Sequence, residues 1–383
     1  MAQVHKRVVL HFPGFEPLDA AAHRARYARS AAQSATVWGY TAEVGNLQPF
    51  DAAPFFDVRS QGGGWQTESR VHVVDHNDLV GALNRRNLPT RLVFGYLAAL
   101  RVAVGGGMTG YFRHAWRFGL FFTFPFMLIL AGMLLSLLIG LAPHDAGLSA
   151  WSLLVSMPLG ALFFLYVFLP LTDRLHTLHL FSDWEMAVAM AGLNGLDAAA
   201  WLDRCAVGVR HALSEPADEY LISSHSMGST VAAHVIGLLL EREPGLFEGK
   251  RVVFVTLGSA ILQCALFRSA KVLRSRVGLI ADCPEISWID VHCLTDAIHF
   301  YKTKVVALCG HSRAKQADII FIRFKTMLSD VHYNKIRRDF LRVHRQYVLG
   351  PDLKATFDFT LMTAGPLPAS DFTQFTPKML PVL

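Results

Sequence analysis

The sequence predicts an α/β protein, a mostly parallel sheet flanked by helices and interrupted by a transmembrane helical hairpin. Three observations lead there. Strand-like runs alternate with helix-like segments along the chain, the order from which parallel sheets are built. One such run, Glu219-Tyr220-Leu221-Ile222-Ser223, passes through the tight turn Ser224-His225-Ser226-Met227-Gly228 into the helix-like Ser229 to Leu240. Two long stretches, Phe118 to Ala142 and Trp151 to Thr172, contain no Asp, Glu, Lys or Arg.

From the N-terminus, Arg7-Val8-Val9-Leu10-His11-Phe12 is a compact strand pattern running into Pro13-Gly14-Phe15. An alanine-rich helix is expected at Leu18 to Gln33, and strands near Thr36 to Val44 and Arg70 to Val74, separated by the turn Gln61-Gly62-Gly63-Gly64. Asp75-His76-Asn77-Asp78 is suited to capping the helix that follows. Arg91 to Trp116 reads as an approach to the membrane, broken at Gly105-Gly106-Gly107, with Tyr111, Trp116 and Arg117 as interface anchors.

The two uncharged stretches are hydrophobic all round and reach the length of about 20 residues that a helix needs to cross the hydrocarbon core. A buried core helix would be shorter and carry a polar edge. A cleaved signal peptide is not expected, because both runs are internal and the chain opens on a strand. Pro125 and Pro158 should kink the spans, and the short link Pro143 to Ala150 makes them a hairpin whose flanks share one compartment. Arg101, Arg113 and Arg117 precede the hairpin and Arg174 follows it, while the link has no Lys or Arg. The positive-inside rule therefore predicts cytoplasmic flanks and termini in a plasma or inner membrane, since outer membranes are spanned by barrels.

Helices are expected at Asp183 to Leu193 and Asp197 to Leu213, the second a crossover into the 219–223 strand. Further strands are expected at Arg251 to Leu257, Ile286 to Cys293 and Ala317 to Phe324, and a basic helix at Ile336 to Tyr347. The hairpin thus interrupts one domain. Its first part is 1–90, the membrane segment 91–180 and its second part 181–349. A tail, 350–383, spotted with Pro351, Pro366, Pro368, Pro377 and Pro381, is expected to wrap the surface or move freely.

The turn at Ser226 reads as a nucleophile elbow, in which the residues two before and two after the serine must be small. Gly228 meets that need, and Ser224 stands where the motif has glycine. With the early strand and its Pro-Gly-Phe loop, the chain resembles the α/β-hydrolase superfamily, and within it serine esterases and lipases. The resemblance spans most of the chain outside residues 90 to 180. Thr256-Leu257-Gly258-Ser259 is a further echo, similar to the strand after the nucleophile helix in many lipases.

The resemblance implies an oxyanion hole from the backbone N–H groups of Met227 and Phe15. It implies the chain order nucleophile, acid, histidine. Asp296 follows the 286–293 strand in a loop and is the expected acid; Asp290, inside that strand, is its competitor. His332, in the segment after the 317–324 strand, is the expected base, with His344 as the alternative. The implied chemistry is attack of Ser226 on a carboxylic ester through an acyl-enzyme, with the bilayer as partner and a lipid or lipid-derived ester as the favoured substrate. Acyl transfer by the same triad, or a non-catalytic membrane scaffold of this fold, are the alternatives.

Composition narrows the remaining classes. The five cysteines lack metal or redox spacing, as expected of reduced thiols. The net charge of +6 and the basic clusters at Arg85-Arg86, Lys271 to Arg276 and Arg337-Arg338 could meet anionic headgroups. No nucleic-acid module accompanies them. Spans without ionisable residues offer no polar pathway for transport. No zinc, EF-hand, Walker or dinucleotide pattern is present, so no metal and no cofactor are expected.

Overall fold

The computed structural model describes residues 3–50 and 53–383. Eight strands make one sheet: β1 (Lys6–Phe12), β2 (Thr41–Val44), β3 (Phe55–Gly62), β4 (Trp65–Val73), β5 (Glu219–His225), β6 (Val252–Leu257), β7 (Ile286–Cys293) and β8 (Asp318–Ile322). Their order is β2-β3-β4-β1-β5-β6-β7-β8. β4 through β8 run parallel in that order, and β2 and β3 are antiparallel at one edge. Helices flank the sheet on both faces, so β5 and β6 are buried along their whole length, which is why they read as unbroken apolar runs. This mixed α/β architecture is compatible with an α/β-hydrolase fold.

The chain leaves β1 toward β4 on one side and lies against β5 on the other, so the strand order reverses there. In open α/β sheets that switch point is where the carboxyl ends of the strands leave a crevice. Phe12 at the end of β1 sits beside Ser224 near the end of β5. The Pro-Gly-Phe loop and the serine turn are therefore neighbours by register alone.

Three departures from the sequence expectation bear on the sheet and its core. The first helix runs on to Trp38 and ends at Gly39, whose left-handed backbone (φ 77°) accepts the turn, so only Thr41–Val44 is strand. β3 was not expected: its alternation buries one face only, and Asp57 and Arg59 on the other make it resemble a loop. The tail is no surface wrap. Phe357, Phe359, Leu361, Met362 and Phe372 are buried in the core under the sheet.

Two helices, Trp116–Asp145 and Ala150–Asp173, are long and apolar enough to cross a membrane. They pack closely where side chains are small. Ser156 donates to the Gly140 carbonyl at 2.6 Å, and a Cβ on Gly160 would collide with the Ser136 carbonyl. The first turns of the Trp116 helix lean on the α/β body, with the Phe122 and Trp184 rings 4.6 Å apart and those of Phe126 and Phe181 also 4.6 Å apart. The approach segment is two helices, Leu88–Val104 and Gly107–His114, bent by 67° at the glycines, and the pair together is apolar enough to be a third, broken span. Val93, Leu100 and Val104 on the first of them are exposed.

Candidate active site

Ser226 follows β5 with φ 53° and ψ −127°, a backbone conformation costly for a residue with a Cβ. The turn is held from below. Ser226 N–H donates to the Leu257 carbonyl at 3.1 Å, and its own carbonyl accepts from Ser229 at 2.9 Å and Ala260 at 3.2 Å. Gly228 is required: a Cβ there would lie 2.2 Å from the Phe12 carbonyl oxygen and 2.3 Å from that of Pro13, both backbone atoms that have nowhere to go. Ser224 is tolerated in the other small position because its hydroxyl donates to the Val255 carbonyl at 3.1 Å and lies 3.2 Å from Ser229 Oγ.

Met227 begins the helix Met227–Arg242, so its N–H has no intrahelical partner. Phe15 lines the same cavity as Ser226, with its carbonyl taken by His179 Nε2 at 3.1 Å. Gly14 brings that loop close, for a Cβ on it would stand 3.2 Å from the Ser226 Cβ.

Asp296 lies in the loop after β7, buried, its Oδ1 accepting from the Ile298 N–H at 2.9 Å. Its Oδ2 is 2.7 Å from Nδ1 of His344. Burial opposes the charge, but the His344 and His299 rings hold the Asp296 carboxyl well below the usual range, as a carboxylate. In the neutral ring His344 Nδ1 is then the donor and Nε2 carries the lone pair. That Nε2 is buried and has no hydrogen-bond partner among the described residues, Ser226 Oγ included.

Of the two candidate histidines, His344 meets Asp296 and His332 does not. His332 sits on the helix Asp330–Ile336, partly exposed, with Nδ1 3.0 Å from Asp352 and no part in the cavity. It follows β8 in sequence, yet Ser329 caps its helix and Asp352 fixes its ring away from β5. The chain needs a further short helix, Phe340–Arg345, to return over the strand ends, and this delivers His344. Asp290, the competing acid, stays inside β7, bonded to Thr256 at 2.7 Å and His292 at 2.9 Å.

Gly258 sits where these residues converge. It adopts φ +52°, and a Cβ would come 2.6 Å from Tyr347, 3.0 Å from the His344 ring and 3.2 Å from Asp296 Oδ2. His225, inside the serine turn, supports His344 directly: its Nε2 is 2.9 Å from the His344 carbonyl, and the two rings lie 4.7 Å apart. The sequence motif contained this histidine without revealing its role, because the partner is more than a hundred residues away.

Ser226 and His344 line one cavity of about 410 Å³. Phe121 from the first span, Leu180, Ile298 and Leu341 supply its apolar wall, while Glu16, Arg26, Arg345 and Asp183 are its charged groups. Asp183, which Gln263 bonds at 3.2 Å, is pushed up by burial to about 6. None of these was singled out from sequence. Glu16 and Arg345 each adjoin a residue that was, Phe15 and His344, but Phe121 and Asp183 arrive from the hairpin and its flank.

The site lies in a nest of buried imidazoles. Burial lowers His23, His76 and His179 to about 4, and His225 and His234 to about 3. Their unfolded value is 6.5, so below that pH the unfolded chain binds protons the folded chain refuses, and stability falls with pH at up to about 1.4 kcal/mol per unit per ring. Asp183, raised above its ordinary 3.8, works in the opposite sense but is one group among these. Glu16, held at about 2, gives up its contribution only below 4.5. The unfolding temperature is expected to drop steadily from pH 6.5 to pH 5; a flat profile in that window would contradict this account of the buried rings.

Compared with protein-family models, curated proteins and solved structures, the chain matches none.

Proposed function

We propose that the chain is a membrane-anchored serine hydrolase of α/β-hydrolase type that cleaves a carboxylic ester of a lipid or lipid-derived molecule. The observation that carries this reading is His344: its Nδ1 is bonded to Asp296 at 2.7 Å, and its unpartnered Nε2 lines a cavity with Ser226 on a strained turn. In the proposed reaction His344 Nε2 takes the Ser226 proton as Oγ attacks the ester carbonyl, and Asp296 stabilises the imidazolium. The N–H groups of Met227 and Phe15 face the oxyanion. His344 then gives its proton to the departing alcohol, and a water activated by the same imidazole hydrolyses the acyl-serine. The contact between Ser226 and His344 is one that closes with substrate in place.

An activated ester such as p-nitrophenyl butyrate is expected to give a burst of nitrophenol, close to one equivalent per chain, ahead of steady turnover. Turnover without any serine-dependent release would count against the acyl-enzyme.

The lipid half of the reading is supported by Phe121, which belongs to a candidate span and also lines the cavity. A substrate held in the bilayer would meet the site at high effective concentration without added contact energy. The proposed topology puts the α/β body in the cytoplasm and the link between spans outside. All five native cysteines are buried, so single introduced thiols report cleanly. In intact cells an impermeant maleimide should label Ser149→Cys, in the exposed link, and spare Gln374→Cys in the exposed tail. The reverse pattern would invert the topology.

A further inference from the structure

We propose that the cavity selects esters carrying an anionic group, phosphate or carboxylate, in the leaving alcohol, and that Arg26 and Arg345 bind that anion. This rests on the serine hydrolase reading and adds the substrate class. Glu16, next to Phe15, holds both guanidinium groups: Arg26 Nη1 is 2.5 Å from Oε2 and Arg345 Nε 2.5 Å from Oε1. Burial opposes its charge, yet the two arginines keep it ionised, with a pKa of about 2.

Two cations on one carboxylate leave a local surplus of positive charge around Glu16. Arg26 makes one hydrogen bond to Glu16, from Nη1. Arg345 Nε, although close, lacks hydrogen-bond alignment with Glu16, so that pair is a charge contact only. Their remaining N–H groups bond no protein acceptor among the described residues. Planar N–H pairs left free in this way match the two oxygens of a carboxylate or phosphate.

Position ties this charge to the reaction. Glu16 follows an oxyanion candidate, and Arg345 follows the base. An ester seated with its carbonyl at Phe15 and Met227 would have its leaving group within reach of the arginines. Its acyl chain would take the wall of Phe121, Leu180, Ile298 and Leu341. Asp183, the other carboxyl of the cavity, is engaged by Gln263 and contacts neither arginine. His179 and His225, both held neutral near pH 7 by burial, add no charge.

The test uses the full chain in a neutral detergent and measures how well three esters protect Ser226 from a fluorophosphonate probe. They are 1-oleoylglycerol, 1-oleoylglycerol 3-phosphate and O-oleoyl-lactate. The phosphate or the carboxylate ester, or both, should protect at concentrations about tenfold lower than the neutral one, and which of them does so identifies the anion. Arg26→Met and Arg345→Met should each cut the anionic-to-neutral preference by about threefold, with partial recovery in Arg345→Lys. Glu16→Gln, which frees both cations, should keep or raise the preference. Equal protection by neutral and anionic esters would overturn the proposal, and so would a preference that survives both arginine changes or disappears in Glu16→Gln. A chain that takes no probe at all refutes the hydrolase reading itself, whereas labelling without anion preference removes only this inference.

Discussion

Ser226→Ala and His344→Ala are each expected to lower ester turnover by at least about a thousandfold, while His332→Ala changes it by less than about twofold. In the proposed mechanism no acyl-enzyme forms without Ser226. On the same reading the serine proton has no acceptor without His344, and the neighbouring ring does not substitute. His225 directs Nε2 at the His344 backbone, and burial drops it to about 3, too weak a base for the task. The loss should fall on kcat, since neither change removes the apolar wall that binds the chain. His332 is tied to Asp352 on another part of the surface. A large loss in His332→Ala with activity retained in His344→Ala would reverse the assignment of the base.

Glu219→Ala should destabilise the fold by about 3–5 kcal/mol, because it strands a buried guanidinium. Arg7 and Glu219 are both fully buried, with Nε and Oε2 2.7 Å apart. Arg7 also donates to the Gly365 carbonyl at 2.8 Å and the Leu367 carbonyl at 2.7 Å, and Glu219 accepts from the Ala369 N–H at 3.0 Å. The pair thus joins β1, β5 and the tail beneath the sheet, at the opposite end from the serine. The unfolding temperature should fall by on the order of 10 °C. Removing both charges at once, in Arg7→Met with Glu219→Leu, should recover part of that loss. If the double change is no better than the single one, the cost lies in the lost tail contacts and not in the orphaned charge.

That joint also explains why the tail was misread. Pro351, Pro366 and Pro368 suggest a loose surface segment, and nothing local says that Gly365 and Leu367 have a buried arginine to satisfy. Asp358 adds a second tether, accepting from Ser34 at 2.6 Å and Trp38 at 3.0 Å, again more than three hundred residues away. Burial of this kind is a long-range property. β1, β5, β6 and β7 were legible for the opposite reason, since strands covered on both faces are apolar throughout. β3 has one wet face and hid among polar residues.

The candidate site divides along the same line. Ser226 is legible because a strand, a sharp turn and a helix are contiguous, and Asp296 because it leaves a clear strand into a loop. The histidine depends on how the chain returns after β8. Sequence proximity favours His332, but Asp330–Ile336 leads away from the strand ends, and of the two candidates it is the one on the next helix, His344, that meets Asp296. Seventeen histidines offered no local means of choosing.

The central claim is that Ser226 is a nucleophile activated by His344 in a membrane-anchored chain. Its most direct test is to treat membranes with a fluorophosphonate probe and map the modified peptide by mass spectrometry. A single adduct on Ser226, absent in Ser226→Ala and strongly reduced in His344→Ala but not in His332→Ala, is the predicted result. Folded wild-type protein that takes no probe, or takes it on another residue, would contradict the account.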